Sequence, residues 1–113
     1  QLYYLGTDGN WASTDANATA TGGSQLLGIA LGTDPADDGM LLRGFIRVDA
    51  AKIEGTPNEG LPCYISEDNT KAVDFTAPST ADDIVRVVGH CVDVDGGNAL
   101  VYFNPSADVI ELA

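Results

Sequence analysis

Positive charge is scarce in this chain. Against 17 Asp and Glu stand five Lys and Arg and a single His, for a formal net charge of −12 over 113 residues. So few cations cannot neutralise a run of phosphates, which excludes nucleic-acid binding through the backbone. The same balance excludes docking on anionic membrane surfaces. Long apolar runs are lacking as well: no stretch approaches the ~20 residues that a membrane-spanning helix needs. Helical periodicity is also weak, with few apolar residues recurring at i, i+3, i+4 and i+7.

Catalytic motifs are equally thin. The sequence carries no G-x-S-x-G, no P-loop, no G-x-G-x-x-G and no H-E-x-x-H. Any His-based metal site or Ser/His/Asp triad would have to use His90. That residue shares a strand face with Arg86, whose charge disfavours its protonation. The two cysteines, Cys63 and Cys91, are too far apart for a clustered zinc motif. Each sits among apolar neighbours, so buried free thiols are favoured over a disulfide. The chain is therefore expected to be no enzyme and to need neither metal nor cofactor. Two acidic turns, Asp34, Asp37, Asp38 and Asp93, Asp95, Asn98, place oxygen ligands close together. A calcium site is the sharper reading of them and ordinary turn chemistry the blander one, because neither follows the D-x-[DN]-x-[DN]-G loop.

What is present is strand and turn. Apolar residues make up 44% of the chain, well above a disordered composition. Polar turns recur roughly every ten residues, the spacing of a sandwich or barrel. One pattern occurs twice. Tyr3-Tyr4-Leu5, a polar turn and Trp11 are matched by Cys63-Tyr64-Ile65, a polar turn and Ala72-Val73. Each copy leads through small residues to an apolar strand with an internal glycine, Gly28 or Gly89, and then to an Asp/Gly turn and a further strand. The residues leave open whether this is true internal symmetry or the ordinary alternation of an all-β chain.

Two strands stand out. Over residues 40–48, Met40, Leu42, Gly44, Ile46 and Val48 share one face, and Leu41, Arg43, Phe45 and Arg47 the other. The first face is expected in the core. The second is amphipathic, with arginine stems lying along the sheet. Over residues 83–95, Val85, Val87, Gly89 and Cys91 alternate with Ile84, Arg86, Val88, His90, Val92 and Val94. A strand apolar on both faces is either central in a layered sheet or buried against another subunit. Met40, Leu42, Ile46, Val85 and Val87 are the expected core.

Several strand blocks also carry a resemblance. Leu26-Leu27-Gly28-Ile29-Ala30-Leu31-Gly32, Leu41-Leu42-Arg43-Gly44-Phe45-Ile46, Val87-Val88-Gly89-His90 and Tyr102-Phe103-Asn104-Pro105 stand in that order. Together they resemble the C-terminal β-domains of fibre and other virion structural proteins of tailed bacteriophages, notably those infecting marine cyanobacteria. More distantly the chain is similar to phage capsid decoration proteins. The blocks hold no catalytic residue, and His90 stands where an aromatic would be expected, so no site residue is carried over.

The reading is a single all-β domain over residues 1–113, a small barrel or sandwich that could hold two pseudo-repeated units. It is taken as the C-terminal piece of a longer protein. The resemblance implies a non-enzymatic structural component of the virion, on head or tail, that mediates oligomerisation, particle attachment or display. Its partners would be copies of itself, with a homotrimer favoured, and other virion proteins. Arg43, Phe45, Arg47, Arg86 and His90 are the candidate subunit contacts. The alternative is a fibre tip that binds a host receptor or glycan through Tyr3, Tyr4, Trp11 and Tyr102. An enzyme acting on polysaccharide is the weakest class.

Overall fold

A computed structural model describes residues 1–17, 22–32, 39–68, 71–81 and 83–112. The chain is all-β. The strands are β1 (Leu2–Leu5), β2 (Trp11–Ser13), β3 (Leu27–Ala30), β4 (Met40–Leu41), β5 (Gly44–Val48), β6 (Ile53–Glu54), β7 (Pro62–Tyr64), β8 (Val73–Asp74), β9 (Ile84–Val85), β10 (Val87–Asp95), β11 (Asn98–Phe103) and β12 (Ile110–Glu111). Among the described residues the one helical turn is a short 3-10 segment, Ala50–Lys52. Four strands form a sheet in the order β2-β1-β3-β4, and six form a second sheet in the order β5-β11-β10-β7-β8-β6. The strands β12 and β9 pair separately. Side chains from both large sheets meet in one core that includes Leu2, Leu27, Ile29, Val48, Cys63, Ile84, Val88, Val101 and Phe103.

The doubled pattern is a doubled topology. In the first half β1 lies between β2 and β3, and β3 pairs with β4. In the second half β7 lies between β8 and β10, and β10 pairs with β11. All six pairings are antiparallel, and the registers correspond: Tyr3 faces Gly28 as Cys63 faces Gly89. The halves differ at both edges. In the second, β5 adds to β11 and β6 adds in parallel to β8; in the first, β4 and β2 end the sheet.

The expected core needs correction. Residues 40–48 are two strands, because the chain bends at Leu42 and Arg43 and Gly44 takes φ +133°, a left-handed value that favours glycine. The bend shifts the alternation. Leu41 packs against the core, while Leu42 is 46% exposed and Met40 only half-buried. Beyond the bend the expected faces hold: Ile46 is half-buried and Val48 buried, with Phe45 and Arg47 exposed.

Residues 83–95 depart further. Register shifts fall between Val87 and Gly89 against β7, and between Cys91 and Asp93 against β11. An extra residue in one strand turns its alternation over. The buried side runs Ile84, Arg86, Val88, then Gly89 and Cys91, then the partly buried Val94. Val85 and Val87 are only half-buried. The stretch is thus a central strand whose inward face changes parity, and Val92 is left 47% exposed on its outer side.

Candidate contact surface

The outer face of the six-stranded sheet gathers four of the five expected contact residues. Strand β11 alternates without interruption: Ala99, Val101 and Phe103 are buried, and Asn98, Leu100 and Tyr102 face outward. Tyr102 is the hub. It lies opposite Phe45 on β5 and opposite His90 on β10, and His90 lies opposite Pro62 on β7. Residues opposite one another in an antiparallel pair share a face, so Phe45, Tyr102, His90 and Pro62 form a row across four strands. The Phe45 and Tyr102 rings are tilted at 43° with centroids 5.1 Å apart. The Arg43 Nε donates to the Tyr102 hydroxyl at 3.4 Å, and this bond raises the guanidinium pKa. Arg47 lies one strand repeat along from Phe45, opposite Leu100. Phe45 is 63% exposed, the most of any aromatic ring here. Periodicity singled out Phe45 and the two arginines. Pro62 escaped it, because only the pairing with β10 brings that residue into the row.

Arg86 does not belong with them. It is 7% exposed and lies inside the fold. One terminal nitrogen, Nη1, donates to the carbonyls of Gly22 at 2.9 Å and Gln25 at 2.8 Å, and Nε donates to the Ser106 carbonyl at 2.7 Å. Its guanidinium joins the loop of the first half to the end of the second. Burial lowers its pKa, and carbonyl dipoles hold the charge. The register shift after Val87 is what separates Arg86 from His90, which stands on the outer face and is exposed.

The four aromatic residues proposed for glycan binding are not one cluster. Tyr4 and Trp11 line an open cleft of about 540 Å³ with Asp8, Asn10 and Gln25. Tyr3 lines a second cleft, of about 490 Å³, between the sheets, with Arg47, Asp49 and Lys52. Tyr102 is on the outer face of the other sheet. All four rings are half-buried.

Of the acidic turns, Asp34, Asp37 and Asp38 lie outside the described residues. In the other, Asp93 and Asp95 are exposed, and the Asn98 Oδ1 accepts from the Ala50 N–H at 2.8 Å. Among the described residues no three His, Cys, Asp or Glu converge as a metal site would require. Cys63 and Cys91 are buried free thiols. Burial, and then the neighbouring Cys91, push the Cys63 thiol up to about 12. It is therefore protonated and inert near neutrality.

A different acidic group escaped notice in the sequence. Asp83, 1% exposed, accepts from the Thr80 N–H at 3.1 Å, and its carboxyl hydrogen-bonds that of Glu67. That bond is the largest cause of a raised Glu67 pKa, with burial and the charges of Asp83 and Asp74 adding to it. Burial raises Asp74 as well, although the Thr76 N–H and Glu54 pull it back. A raised carboxyl pKa means that the fold holds the proton more tightly than the unfolded chain does. Stability therefore falls as pH rises from the ordinary carboxylate range, about 4, through the folded values. Relief of repulsion on a chain of charge −12 acts in the same direction. The expected result is a melting temperature that rises as pH is lowered from neutrality toward the ordinary carboxylate range, about 4. In Glu67→Gln, whose amide keeps a donor toward Asp83, the rise should be smaller. An unchanged pH profile in that variant would remove the shared proton from the account.

No family model matches this chain, and neither a curated protein nor a solved structure shows significant similarity to it.

Proposed function

We propose that this chain is a non-enzymatic structural domain of a phage particle, and that it works by contact with further copies of itself and with other virion proteins. The observation that carries the contact reading is the outer row, where an exposed Phe45 is packed at a tilt on Tyr102 and flanked by Arg43 and Arg47. Aromatic residues and arginine are the side chains most enriched where proteins meet. Here they stand together on a chain with only five Lys and Arg. The assignment to a virion rests on the strand blocks quoted above. The expectation of a trimer drew on the two-sided strand at residues 83–95. The resemblance to fibre proteins is its other motive; the strand's central place in the sheet weakens the first, although Val92 stays 47% exposed, and self-association rests chiefly on β5 and its neighbours.

Light scattering at tens of micromolar tests this. An oligomer mass is expected for the wild type, falling toward the monomer in Phe45→Arg while the circular dichroism spectrum is kept. A monomer mass at every concentration would end the self-association reading. A second reading, glycan binding, is favoured by one observation: Tyr4 and Trp11 line a cleft beside the hydrogen-bonding side chains of Asp8, Asn10 and Gln25. Trp11 is the chain's only tryptophan, so its fluorescence reports directly on a sugar bound there.

A further inference from the structure

We infer that β5 pairs with β5 of a second copy, antiparallel about a two-fold axis through Ile46. This rests on the reading of the domain as self-associating and names the seam. The strand β5 ends its sheet: β11 pairs with it on one side. Among the described residues no backbone hydrogen bond reaches its other side. Alternate N–H and C=O groups along that side face away from the sheet, and such an edge is a template for another strand. The edge is also approachable, because Ile46, Arg47 and Val48 border the open cleft of about 490 Å³.

The side chains select the partner and the register. Residues directly opposite one another across an antiparallel pair must share a face, so the outer positions Phe45 and Arg47, with Arg43 and Asp49 flanking the strand at its two ends, meet the same four positions of the other copy. Centring the pair on Phe45 sets Arg43 against Arg47. Centring it on Arg47 sets Arg47 against itself. Of these three, only the register centred on Ile46, the middle of the strand, avoids both. It sets Phe45 against Arg47 twice and Arg43 against Asp49 twice, a cation over a ring and a cation beside a carboxylate. The outer sequence Arg-Phe-Arg-Asp is thus complementary to its own reverse, as a two-fold interface requires. Each copy brings two arginines and one aspartate to the seam. The seam is therefore locally positive on bodies that are otherwise acidic, and it offsets part of their mutual repulsion. The result is a continuous twelve-stranded sheet, twice the six strands of one copy.

Sedimentation equilibrium on the whole chain and its charge-swap variants tests this. The wild type is expected to sediment as a dimer at ~100 μM, well above the dissociation constants of ordinary specific contacts. Arg43→Asp sets a carboxylate against the carboxylate of Asp49, and Asp49→Arg sets arginine against arginine, each twice across the axis. Each single variant should dissociate at least about tenfold more readily, the effect of ~1.4 kcal/mol. An equimolar mixture of the two should form a heterodimer of wild-type strength, since each unlike pairing that remains carries opposite charges. The double variant should recover likewise, with both pairs restored and their signs exchanged. A misfolded single variant would fail to recover on mixing, which keeps folding defects apart from loss of contact. An oligomer of another order, or a dimer indifferent to the swaps, would overturn the β5 seam and leave self-association standing. A monomer throughout would overturn both.

Discussion

Arg86→Ala should cost the fold about 3–4 kcal/mol, read from urea denaturation with an unchanged slope. The guanidinium satisfies three carbonyls at once, those of Gly22, Gln25 and Ser106, at 2.7 to 2.9 Å. A hydrogen bond to a charged donor contributes about 1.5–3 kcal/mol, and a buried carbonyl left without a partner costs about 1–3 kcal/mol. Against that stands the desolvation of the charge itself, which burial signals by lowering the Arg86 pKa and which the alanine variant no longer bears. Water entering the vacated space will satisfy part of the rest, so the sum stays well below three full bonds. Arg86→Lys should recover only part of the loss, because an ammonium has no planar fork to serve carbonyls on different sides. Arg86→Met keeps the stem and removes the donors, and should resemble alanine. A cost below about 1 kcal/mol in Arg86→Ala would mean that the two halves are joined by packing alone.

This residue also marks where reading the sequence stops. The strand-and-turn class and the described turns at residues 7–10 and 95–98 are legible, because they depend on local alternation and on Gly and Asp, whereas the doubling stays open in the residues and is decided by the matching strand pairings. The outer row is legible in part, since Arg43, Phe45 and Arg47 alternate along one short strand. What alternation cannot carry is a change of parity. A single extra residue opposite β7, and another opposite β11, turn the side chains of residues 87–94 over and back. A bend at Leu42 and Arg43 does the same to residues 40–44. Arg86 therefore reads as a surface cation in sequence and is an internal clamp in the fold. Leu42 reads as core and is exposed. The carboxyl pair of Glu67 and Asp83 is hidden for another reason. Sixteen positions separate the two residues, and only the tertiary fold closes that distance.

The internal doubling permits a paired experiment on two glycines at matching positions. Gly28 faces Tyr3 and Gly89 faces Cys63, each at the centre of its unit. A Cβ added at Gly28 would come 2.5 Å from the Met40 Cγ and 3.1 Å from its Sδ. Both atoms belong to an unbranched, half-buried side chain that can rotate away. A Cβ at Gly89 would come 2.5 Å from the Tyr102 carbonyl oxygen, 3.0 Å from the Val101 Cγ1 and 3.3 Å from the Phe103 Cα. Here the obstacle is the backbone of β11, which its pairing with β5 and β10 holds in place. Overpacking a well-filled site costs about 1–3 kcal/mol, and immovable neighbours put a site at the upper end. Replacing glycine also restricts the unfolded chain, which returns about 0.4–1 kcal/mol in both variants. The expected outcome is a loss of about 2–2.5 kcal/mol for Gly89→Ala and under about 1 kcal/mol for Gly28→Ala, measured side by side by thermal unfolding. The first variant should also disturb the contact surface. Displacing β11 at Tyr102 shifts the ring that packs on Phe45 and accepts from Arg43, so self-association should weaken in Gly89→Ala and not in Gly28→Ala. Equal losses at the two positions would show that β11 yields as readily as a methionine side chain, and that the second sheet is looser than its pairing implies.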